Sequence, residues 1–110
     1  MTVSQLIDCA GFKALNMPSP DTSIDGCFVG DLLDNVMSKA TKGQCFVTAS
    51  NGVNTAAVAS LVGMPCVIFC DSLTPDELLI SSAKARGINI AVSDKPAFET
   101  CLVIGSLLAV

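Results

Sequence analysis

The chain has 110 residues, 51% of them hydrophobic and only 15% charged, with a formal net charge of −4. That length suits a single domain, residues 1–110, able to bury a core without staples. Six scattered Lys and Arg, five Phe and no Tyr or Trp supply neither the basic cluster nor the aromatic platform of a nucleic-acid binder, so no nucleic-acid partner is expected.

Thr2-Val3-Ser4-Gln5 matches a capping box and opens a helix of about two turns that ends at Gly11, with Leu6 and Ile7 inward. Residues 12–15 predict a short edge strand. Residues 16–25, NMPSPDTSID, hold two prolines and several turn formers. They form the one extended irregular stretch, of the kind that often carries function or an interface.

Residues 26–30 predict the next strand, and Asp31 the start of a helix. Leu32, Leu33, Val36, Met37 and Ala40 recur at helical spacing opposite Asp34, Asn35, Ser38 and Lys39, and Lys42-Gly43 closes the segment. Asp31 has two readings. It caps the helix and complements its positive end, or it presents a carboxylate at the sheet edge.

The stretch 44–71, QCFVTASNGVNTAAVASLVGMPCVIFCD, reads as strand, loop, helix, strand. Residues 45–49 and 66–70 are short apolar runs of the kind found in strands buried on both faces of a parallel sheet. Residues 54–62 are apolar almost all round. The Ser50-Asn51-Gly52 loop therefore sits at the C-terminal end of a strand and the start of a helix, the usual ligand-binding edge of an open α/β sheet. Thr48, Ser50, Asn51, Gly52 and Asn54 are the candidate ligand-binding residues, with Gly30, Asp31 and Asp71 beside them. Turn and capping chemistry is the plainer reading of Asn51, Gly52 and Asn54.

Thr74-Pro75-Asp76-Glu77 reads as a helix start with Thr74 as N-cap, and Lys84, Arg86 and Gly87 as its end, with Leu78, Leu79 and Ala83 inward. Residues 88–92 alternate into a strand. Pro96 enters a last helix whose core contacts are assigned to Phe98, Cys101, Leu102, Leu107 and Leu108, with Glu99 its one charge. The alternation predicts a compact three-layer α/β domain with a mostly parallel sheet of four or five strands and helices on both faces.

Low charge content and an apolar last helix predict a homodimer. No apolar run reaches the roughly 18–20 residues of a membrane span, so no membrane association is expected. Residues 1–8 lack a basic n-region and an apolar h-region, which makes the cytoplasm the default location. The six cysteines contain no C-x-x-C pair, and Cys66 and Cys70 stand about 13 Å apart along one strand, too far for a disulfide. They read first as small core hydrophobes, with a redox or metal role left to whatever the fold assembles. No metal and no cofactor is expected from a chain without His.

No P-loop, no G-x-G-x-x-G and no G-x-S-x-G occurs. The close carboxylates Asp31/Asp34 and Asp76/Glu77 both fall at helix starts, where capping explains them. No catalytic residue is assigned.

The run GDLLDNVMSKA, then QCFVTASNGVNTAAVASLVGMPCVIFCD, then TPDELLISSAKARGINIAVSD and a helix, resembles the DRTGG-domain family. Gly30, Asp31, Leu32 and Leu33, with Thr48, Asn51 and Asn54, carry most of the resemblance; the literal D-R-T-G-G string is absent. The resemblance implies a domain similar to the N-terminal domains of HPr kinase/phosphorylase and of some Mur ligases, and to the middle part of some phosphotransacetylases. It implies a regulatory or ligand-binding role and homo-oligomers. It also implies that a serine-kinase label would come from the neighbouring catalytic domain of relatives.

Two functions follow as expectations. The first is a regulatory module binding a small anionic or nucleotide-like ligand at residues 48–54, where helix N–H groups suit an anion. The second is a ligand-free interaction subunit docking on a redox or metabolic enzyme, with an enzyme of its own a distant third.

Overall fold

The computed structural model describes residues 1–109. In chain order its elements are helix α1 (Val3–Ala10), strand β1 (Lys13–Asn16), strand β2 (Gly26–Val29), helix α2 (Leu33–Lys39) and strand β3 (Gln44–Thr48). Helix α3 (Thr55–Val62), strand β4 (Cys66–Phe69), helix α4 (Glu77–Arg86), strand β5 (Asn89–Val92) and helix α5 (Ala97–Leu108) follow. They build one five-stranded sheet of order β1-β5-β4-β3-β2, in which β2 to β5 are parallel and β1 lies antiparallel on β5.

Three successive crossovers step the same way across the sheet, and a constant hand of crossover then puts their helices on one face. Residues of α2, α3 and α4 accordingly share a core with Phe46, Val67 and Phe69. On the opposite face α1 and α5 pack with Cys45, Val47, Cys66, Ile68 and Cys70. The alternation along β3 and β4 thus feeds two cores at once, which is why both strands read as continuous apolar runs.

Local signals for the helix ends hold in part. Thr2 and Gln5 form both bonds of the capping box, and Gly11, Gly63 and Gly87 end α1, α3 and α4 in the left-handed region. Helix α2 instead begins at Leu33 behind Leu32, with no side-chain cap, and ends at Lys39 before Ala40. Gly43 serves packing, since a Cβ there would lie 2.5 Å from Asp25 Oδ2. Helix α4 begins at Glu77, two residues after the expected Pro75 start.

Three inward assignments fail. Leu78 is 72% exposed, Phe98 70% and Leu102 54%; Leu32 and Met37 are exposed as well. A single sheet face covers only one narrow stripe of each helix, and the side chains of Leu78, Phe98, Leu102 and Met37 lie away from it. In α5 the fully buried positions are Thr100 and Ile104, while Cys101, Leu107 and Leu108 pack at the margin.

Residues 17–25 run under the N-terminal ends of the strands, from β1 at one edge to β2 at the other. Asn89, 1% exposed, fastens this segment. Its Oδ1 accepts from Ser19 N at 3.0 Å, and its Nδ2 donates to the Ser19 and Pro65 carbonyls at 2.8 Å each. The irregular stretch therefore closes that edge. Replacing Asn89 with Ala removes three hydrogen bonds, one of them to the carbonyl of the buried Pro65, and should lower the unfolding free energy in urea by about 2–3 kcal/mol.

Candidate functional site

The opposite edge, where β2 to β5 end, carries the polar side chains that the buried strands exclude. Thr48 is the last residue of β3 and is itself buried. Its hydroxyl donates to Asp31 Oδ1 at 2.9 Å, and the same oxygen accepts from Ala49 N at 2.9 Å. Thr48 Oγ1 in turn accepts from Ser50 N at 3.1 Å. Asp31 therefore reaches back from the end of β2 to bind the end of β3. Of its two sequence readings, the carboxylate at the sheet edge is the one the fold adopts.

A second set of bonds ties the same loop to the next one. Asn51 Nδ2 donates to Asp76 Oδ1 at 3.0 Å and to the Thr74 carbonyl at 3.4 Å, and Asn51 Oδ1 accepts from Asp76 N at 3.0 Å. Asn51 thus satisfies the backbone at the start of α4, a task the sequence assigned to Thr74. Asp76 occupies the cap position without a side-chain cap bond.

Asn54 stands at the N-cap of α3 with helical φ and ψ, exposed and with no side-chain cap bond. Capping does not account for it. Thr55 N donates to the Gly52 carbonyl and Val58 N to the Asn54 carbonyl, so the N–H groups of Ala56 and Ala57 have no acceptor within the helix. Gly30 N is spent on the Val47 carbonyl.

Asp71 lies at the same edge but makes no bond to this network. Its N–H donates to the Lys95 carbonyl at 2.8 Å and that of Ser72 to the Ser93 carbonyl at 2.9 Å. Both residues are left-handed, with φ of 58° and 56°, a conformation that costs about 1–2 kcal/mol for each non-glycine residue. Burial and then the Asp71 carboxylate, with Asp31 adding to it, push the Cys70 thiol up. Beyond Asp71, a hollow of about 370 Å³ opens towards β1, lined by Lys13, Ser72, Thr74, Val92 and Asp94.

The fold brings Asp31, Thr48 and Ser50 together, and joins Asn51 to Thr74 and Asp76. The last two were missed as site residues because their bonds to Asn51 span 23 and 25 positions. Asp31, Asp71, Asp76 and Asp94 make the edge acidic, with Lys13 and Lys95 as the nearby cations. Among the described residues no group of three or more His, Cys, Asp or Glu is placed to hold a metal ion. Among them, too, no helix is long and apolar enough to cross a membrane.

No family model matches the chain, and no curated protein matches it. Its fold is similar to the crystal structure of the CBS and DRTGG domains of the regulatory region of Clostridium perfringens pyrophosphatase, complexed with the activator diadenosine tetraphosphate. The TM-score is 0.76 at 14% identity, over 94% of this chain and 45% of that one. At that identity the likeness concerns the fold alone, which is CBS/DRTGG-like. This chain spans less than half the length of that one.

Asp31→Ala removes the acceptor shared by the Thr48 hydroxyl and the Ala49 N–H, leaving the buried Thr48 hydroxyl with only the bond it accepts from Ser50 N. The unfolding free energy should fall by about 1–2 kcal/mol, while Asp31→Asn, which keeps an oxygen in place, should lose less than half as much. Urea titrations of both variants make the comparison.

Proposed function

We propose that these residues form a regulatory module without catalytic activity, binding a small nucleotide-like or otherwise anionic ligand across the loops at 30–31, 48–54 and 71–76. The observation that carries the proposal is the pair of bonded loops, Asp31 to Thr48 and Ala49, and Asn51 to Asp76. They hold in place a loop whose following helix leaves the N–H of the half-buried Ala57 without an intrahelical acceptor, a donor suited to an anion. Asn54 and Ser50 stand at that loop, and the carboxylates of Asp31, Asp71 and Asp76 suit hydroxyl and amino groups of a sugar or base. Because the edge is acidic, a polyphosphate is expected to bind as its Mg²⁺ complex.

The fold likeness to a regulatory region complexed with a dinucleotide activator supports the same class. Without His or a P-loop, no route to phosphoryl transfer is visible, and we assign the chain no kinase activity. Cytoplasmic location is part of the proposal.

A homodimer is the assembly we propose, on the exposed stripe of Phe98 and Leu102 on α5. Leu32, Met37, Leu61 and Leu78, exposed on the other face, favour the second reading, a subunit that docks on another protein. Sedimentation at micromolar concentration should give twice the 11.3 kDa chain mass. Phe98→Glu should return it to the monomer.

MgATP, MgADP and AMP should be screened by thermal shift, since any ligand of the native state raises Tm. For a nucleotide that does so, Asn54→Ala should weaken binding about tenfold, the scale of one lost hydrogen bond, and leave stability within about 0.5 kcal/mol. Loss of stability with unchanged affinity would return Asn54 to a purely structural role.

A further inference from the structure

Cys27 on β2 and Cys101 on α5 are 74 positions apart in sequence, and their sulfur atoms lie 3.9 Å apart. Both residues are half-buried, where α5 crosses the sheet on the face it shares with α1. Cys45 is the in-register neighbour of Cys27 on β3 and is fully buried. The ligand reading uses none of these thiols.

We propose that Cys27 and Cys101 form a redox modification site, which a hydroperoxide converts to an intramolecular disulfide that staples α5 to the edge strand β2. The sulfurs must close by a little under about 2 Å to reach bonding distance, a span that side-chain rotation covers. Cys45, held in register beside Cys27 at a strand spacing of about 4.8 Å, is the competing partner.

The chemistry balances in two steps. The Cys101 thiolate attacks a peroxide oxygen, the O–O bond breaks, and the departing hydroxide takes up the proton that the thiol released, leaving as water. The resulting sulfenic sulfur is attacked by Cys27 Sγ; the S–S bond forms, and the expelled hydroxide leaves as water with the Cys27 proton. Two thiols lose two electrons and two protons, and hydrogen peroxide becomes two waters.

Burial, then the neighbouring Cys27, pushes Cys101 up to about 12. The Cys45 thiol, then burial, pushes Cys27 up further. Thiolate is scarce near neutrality, so the pair oxidises slowly. Once formed, the bond closes a long loop, which constrains the unfolded chain and pins the helix that carries Phe98 and Leu102.

The test treats the reduced full chain with hydrogen peroxide for hours, alkylates under denaturing conditions and maps the peptides by mass. The expected product lacks two hydrogen atoms, carries a Cys27–Cys101 cross-link, and melts at least about 5 °C higher than the reduced form. Cys101→Ser should abolish both the cross-link and the Tm rise. Cys27 and Cys101 both recovered alkylated after oxidation of Cys9, which is exposed, would overturn the proposal. So would a Cys27–Cys45 link in the wild-type chain, and neither result depends on a variant that folds.

Discussion

Strands β3 and β4 are dry on both faces, and that constraint orders everything else. Cys45, Phe46, Val47, Cys66, Val67, Ile68 and Phe69 are all at 0% exposure. With helices on each side, a polar side chain in mid-strand would be buried without a partner at a cost of several kcal/mol. Polar chemistry is therefore displaced to the strand ends. Thr48 marks the boundary, being still buried yet able to donate its hydroxyl hydrogen bond to Asp31. Cysteine fills the same strands because it is small, apolar and compatible with tight helix approach.

The two ends of the sheet solve the displaced polarity differently. At the N-terminal end, residues 17–25 and Asn89 consume the free backbone groups among themselves. At the C-terminal end the bonds run between loops and leave donors open at α3. Because β2 to β5 follow one another across the sheet in chain order, their sequence never reverses, and no crevice opens between two halves. The candidate site is accordingly a row of bonded loops along an edge, with its nearest hollow displaced towards β1.

Local signals were legible wherever the interaction is local. The Thr2–Gln5 capping box and the helix-ending Gly11 and Gly87 act over a few residues, and all appear in the fold. What failed was long-range. Asn51 finds Asp76 across 25 positions, and no local pattern announces it. Asp31 looked like a cap because caps are what an Asp before an apolar helix usually provides. In the fold its carboxylate instead bonds Thr48 and the Ala49 N–H, and Leu32 takes the cap position. Leu78, Phe98 and Leu102 were read inward because helical spacing gives the width of an apolar stripe without saying how much of it a neighbour covers. The Cys27–Cys101 approach likewise depends on where α5 lands on the sheet.

Ligand binding, as proposed, belongs to the C-terminal edge of the sheet and uses the loop after β3. Amide chemical shifts of the isotope-labelled chain, followed during titration with MgATP, test it most directly. The account predicts saturable shifts at residues 49–57, with smaller ones at 30–31 and 71–76, while residues 17–25 stay still. Saturable shifts confined to residues 17–25, or a spectrum unmoved at millimolar nucleotide, would contradict it.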